Sequence, residues 1–81
     1  SITDYTNAVK EQVNLTVQST ENKAVTVLLS NIYGQEVYRK KIALQKGANT
    51  FEIPVKQLKP GQYMVILRGS RLRQQKRLIK Y

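Results

Sequence analysis

The side chains able to do chemistry in this chain are mostly cations. Fourteen Lys and Arg residues stand against five carboxylates, for a net charge of +9, and there is no His and no Cys. The carboxylates Asp4, Glu11, Glu21, Glu36 and Glu52 are scattered singly, so no pair spaced for general acid–base work is visible. Without His or Cys, the usual ligand sets for zinc, iron and copper are missing, and so is a thiol nucleophile. No metal and no cofactor are therefore expected, and an enzyme is the least expected class. The composition instead supports attraction for polyanions of any kind, whether nucleic acid, acidic lipopolysaccharide or anionic lipid.

One hydroxyl stands apart from the cations. In the stretch LKPGQYMVILR, Leu58 to Arg68, Pro60 presets a turn and Gly61 can take a positive φ. Tyr63, Val65 and Leu67 then alternate with Gln62, Met64 and Ile66 at the period of a strand. A Tyr entering the penultimate strand of a Greek-key sandwich buries its ring and returns its hydroxyl to backbone a few residues upstream, the tyrosine corner. Leu58, Gly61 and Tyr63 are read in that role.

The elements that position this corner are strands. Val13, Leu15 and Val17 alternate with polar residues and mark a half-buried strand after a polar tail, Ser1 to Lys10, that runs into a short edge strand. Ala24 to Ile32 reads as a central strand: Val25, Val27 and Leu29 make one face, and Leu28 interrupts the other. Asn31 to Gln35 is a hairpin connection in which Asn and Gly34 supply positive φ. In Glu36 to Leu44 a change of face predicts a bulge near Arg39 to Lys41, and that basic run reads as a solvated edge that blocks aggregation. Phe51, Ile53 and Val55 share a face of a strand that ends at Pro54 or lies at an edge. Arg68, Gly69, Ser70 and Arg71 form a basic turn, and adjacent Leu78 and Ile79 cover both faces of a last strand.

This order predicts an all-β fold, an immunoglobulin-like Greek-key β-sandwich of about seven short antiparallel strands, with a small closed barrel as the alternative. Eighty-one residues make one domain, 1–81, with 1–8 as linker, and a core that buries only about 60% of the unfolded surface. Because the chain starts with Ser1 rather than Met, it is expected to be a piece of a longer protein. No apolar run approaches the roughly 18 residues of a membrane-spanning helix, and the N-terminus has no signal-peptide apolar region.

The chain resembles the type A C-terminal sorting domain of the type IX secretion system, found on exported proteins of Bacteroidetes. Tyr5, Thr6, Asn7 and Ala8 stand where that family carries a YPNP motif, with both prolines absent here. Ile32 to Val37 matches its Gly-containing turn, Gly47, Ala48 and Asn49 its next turn, Leu58, Gly61 and Tyr63 its GxY corner, and Lys76 to Lys80 its basic and apolar terminal strand.

The resemblance implies a secretion signal on an N-terminal cargo, in transit through the periplasm and then at the outer membrane, the cell surface or the medium. Its implied partners are the translocon and shuttle proteins and a sortase-like peptidase, which removes the domain and can attach the cargo to anionic lipopolysaccharide. Because a label is read on its folded surface, Lys76, Arg77, Leu78, Ile79 and Lys80 are read as recognition residues. An open sheet edge would also allow a homodimer. The rivals are basic polyanion-binding and carbohydrate-binding modules. Nucleic acid is not expected, since Tyr33, Tyr38, Phe51 and Tyr63 do not share one strand pair as base-stacking platforms do.

Overall fold

A computed structural model describes residues 2–5, 8–70 and 72–81. Among these, the chain forms β1 (Ile2–Tyr5), β2 (Ala8–Val9), β3 (Gln12–Ser19), β4 (Lys23–Asn31), β5 (Glu36–Leu44), β6 (Gly47–Pro54), β7 (Gly61–Gly69) and β8 (Leu72–Lys80). Six of these strands run eight or nine residues and two are short, so the expected count of about seven is close. The strands build two sheets, β1-β3-β6 and β2-β8-β7-β4-β5. From β3 onward the chain crosses between sheets after β3, β5 and β6, which gives the Greek-key order of an immunoglobulin-like sandwich.

Alternation explains which faces meet. Val13, Leu15 and Val17 of β3 point across at Val25, Val27 and Leu29 of β4 and at Val65 and Leu67 of β7, all buried in one cluster with Ile53 and Leu78. At about 1.5–3 kcal/mol for each fully buried aliphatic side chain, this layer is the main favourable term in so small a domain. β4 lies between β5 and β7, the central position read from its dense apolar pattern. β6 ends at Pro54 and lies at the edge of its sheet, where a missing ladder donor does no harm.

Several local expectations are corrected. Residues 2–5 are not linker: β1 pairs with β3, and the Ile2 amide donates to Gln74 Oε1 at 2.7 Å. The pairing is not antiparallel throughout, because β2 runs parallel to β8, with Ala8 opposite Ile79 and Val9 opposite Lys80. The bulge in β5 falls at Val37 rather than at Arg39 to Lys41: Leu29 pairs with Tyr38 and Ser30 with Glu36, so Val37 is left over and turns outward. Arg39, Lys40 and Lys41 do lie on an edge strand, exposed to solvent.

Gly34 takes φ 81°, but no described non-glycine residue has a positive φ. Asn31 shapes that turn with its side chain instead, Oδ1 accepting from the Tyr33 and Gln35 amides, each at 3.0 Å. Of the motif residues near the N-terminus, Thr6 and Asn7 lie outside the described residues, as does Arg71 of the basic turn.

Candidate recognition surface

The corner before β7 is built from backbone upward. Leu58 donates its amide to Val55 O at 3.0 Å and half-buries its side chain against the core. Gly61 then opens β7 at φ 155°. A Cβ there would meet nothing within 4 Å, so the demand for glycine comes from the backbone angle and not from space. Two residues on, Tyr63 is 8% exposed and its hydroxyl donates to Lys59 O at 2.6 Å. The bond ties the strand to the crossover that precedes it, in the geometry of a tyrosine corner.

The last strand is divided by its pleat. Lys76 and Arg77 are exposed, Leu78 is fully buried, Ile79 is 43% exposed and Lys80 only 8%. Leu78 sits opposite Tyr63 and belongs to the core, so no partner can touch it in the folded domain. Lys80 runs its stem inward and brings Nζ to Tyr81 O at 3.3 Å, a snorkelling lysine and not a free surface charge. Replacing Lys80 therefore removes packing as well as charge, whereas Lys76 can be replaced at little cost to the fold. Of the five residues read together from sequence, Lys76, Arg77 and Ile79 are available to a partner.

Two features carry little signal in the sequence. Asn49 closes the turn between β5 and β6: its Oδ1 accepts from Gln45 N at 2.9 Å, and its Nδ2 donates to Gln45 O at 2.8 Å, Gly47 O at 3.1 Å and Val17 O at 3.3 Å. Only the Gly-Ala-Asn spacing hints at it. The other is the outer face of the five-stranded sheet, where Leu28, Met64 and Ile66 line a groove of about 640 Å³ together with Arg68 and Arg73. Glu36 stands at its margin, bound to Arg39 at 2.7 and 3.0 Å. That hydrogen bond is the main cause holding the Glu36 carboxyl below its ordinary range; desolvation opposes it, and the charges of Arg39 and Arg68 add to it. A smaller cleft of about 280 Å³ opens between β5 and β6, lined by Tyr38 and Phe51 together with Lys40 and Lys41. Tyr33, at 82% exposure, lines neither, although its neighbours Ile32 and Gly34 line the larger groove.

Among the described residues no group of His, Cys, Asp or Glu is clustered to hold a metal ion, and no helix is long and apolar enough to cross a membrane. The fold and its surfaces define an all-β sandwich whose exposed cations and half-exposed apolar side chains stand on its strands. A family model described as a secretion system C-terminal sorting domain matches residues 5–81. The chain belongs to that family, the sorting domains of type IX secretion in Bacteroidetes, and its role is that of a sorting signal for export across the outer membrane to the cell surface or the medium. No curated protein matches the chain.

Proposed function

We propose that the domain acts as a folded address on a cargo joined to its N-terminal side, read by the type IX machinery after the cargo has entered the periplasm by its own signal peptide. The family match over residues 5–81 carries this reading. Translocon or shuttle proteins contact the exposed cations and the half-exposed Ile79 of β8, while Leu58, Gly61 and Tyr63 hold the crossover that keeps those residues in register. After translocation a sortase-like peptidase cuts the domain from the cargo and can transfer the cargo to anionic lipopolysaccharide.

Cleavage can be tested separately from export. A fluorescent cargo carrying this chain at its C-terminus, recovered from the medium or the surface of a Bacteroidetes host, should have lost the mass of the domain, about 9.3 kDa. Exported cargo that keeps the full mass would remove the cleavage step and leave sorting in place.

A further inference from the structure

We propose that the outer face of the five-stranded sheet is the docking surface for an acidic, apolar-bearing extended segment of a partner protein of the export machinery, an inference that rests on the sorting role above. The sandwich has two outer faces of opposite character. On the three-stranded sheet, β3 and β6 turn out mainly neutral polar residues, Thr16 opposite Thr50 and Asn14 opposite Glu52. On the five-stranded sheet, the registers bring together an apolar strip and a set of arginines: Arg68 opposite Arg73, Met64 opposite Arg77, and Leu28 flanked by Ile66 and Arg39. Every described arginine lies on this face, while the lysines are spread over the chain.

Leu28 is only 6% exposed and adds to the fold, so the accessible part of the strip is half-buried Met64 and Ile66; the arginines beside them add little. Like charges directly opposite on neighbouring strands repel, and Arg73 and Arg77 have no ion pair with a described residue, while Arg68 feels Glu36 only at longer range because Glu36 is bound to Arg39. Ile32, 66% exposed, lines the same groove, and half-exposed Ile79 lies on the same face opposite Gln62. Solubility alone would be served by the neutral polar surface of the other sheet. Arginine forks match carboxylates with two parallel bonds, and desolvation by apolar neighbours strengthens them. The strip between them suits Leu or Phe side chains, which a phosphate polymer lacks, so the charge and the apolar groove together select an acidic peptide.

The test uses a short fluorescein-labelled peptide alternating Glu with Leu, followed by anisotropy, with oligothymidylate and phosphatidylglycerol vesicles as competing probes. Two charge-matched variants are compared: Arg73→Glu with Arg77→Glu on the face, and Lys46→Glu with Lys56→Glu away from it. The face variant should keep or raise the melting midpoint, because the carboxylate introduced by Arg73→Glu would pair with Arg68 across the strands. It should also lose peptide affinity by at least about tenfold, as expected for loss of two charge-assisted contacts, while the control changes by about twofold or less.

Equal losses in both variants, or tighter binding of oligothymidylate or vesicles than of peptide at this face, would overturn the proposal in favour of general polyanion attraction. Export of a fused cargo provides the second arm. If the unaltered domain is exported and the face variant is exported equally well, this surface is not what the machinery reads, although the sorting role stands. If the unaltered domain is not exported, the sorting role fails, and peptide binding alone decides the surface.

Discussion

Leu78→Ala is expected to lower the stability of the domain by about 2–5 kcal/mol, the range for a large-to-small change that leaves a cavity. Leu78 is fully buried and paired with Tyr63, so the removed atoms have neighbours on all sides and little room to collapse. Against a total of roughly 4–12 kcal/mol, the usual stability for a chain of this length, that loss would unfold a large share of molecules in mild urea. The neighbouring Ile79→Ala should cost roughly 1 kcal/mol or less, because Ile79 is 43% exposed. Urea midpoints of the two variants make the comparison, and similar midpoints would contradict the assignment of one face of β8 to the core and the other to solvent. The pair also separates two ways of losing export. Leu78→Ala would stop it by unfolding the signal, whereas a loss with Ile79→Ala, on a domain that remains folded, would support the proposed reading surface.

Tyr63→Phe is the second large effect, expected at about 1–3 kcal/mol. The change keeps the ring in the core and deletes only the hydroxyl that donates to Lys59 O at 2.6 Å. The Lys59 carbonyl then loses its partner at a half-covered site, which costs more than losing a bond in water. In a domain this small each kcal/mol moves the melting midpoint by roughly 4–8 °C, so a thermal scan resolves the loss easily. An unchanged midpoint would show that the crossover holds itself without the tyrosine.

The core was legible because its signal is local. Val13, Leu15 and Val17, then Val25, Val27 and Leu29, then Tyr63, Val65 and Leu67 each declare a buried face through a two-residue period, and the structure buries all nine. The corner was legible for the same reason, since Pro60, Gly61 and Tyr63 lie within a few residues of the carbonyl the hydroxyl reaches. What was not legible depends on pairing across distant strands. The bulge at Val37 is set by how β5 meets β4, and the parallel partner of Ile79 and Lys80 comes from two residues near the other end of the chain.

The arginine face is the clearest case. Arg39, Arg68, Arg73 and Arg77 look unrelated along the sequence, and only the registers of β5, β4, β7 and β8 assemble them around Leu28, Met64 and Ile66. Lys80 misled for another reason. A lysine in a basic run reads as exposed, yet its aliphatic stem can be drawn inward while the ammonium finds a carbonyl at the end of the chain.

The most direct test of the sorting role is export with and without its machinery. This chain is fused to the C-terminus of a stable fluorescent protein that carries a periplasmic signal peptide, and the fusion is produced in a Bacteroidetes host with an intact type IX apparatus and in one that lacks it. Fluorescence at the cell surface and in the medium should be present in the first host and absent in the second, where the cargo stays in the periplasm. Cargo retained in the periplasm of both hosts, or released equally from both, would contradict the assignment of this sandwich as a sorting signal.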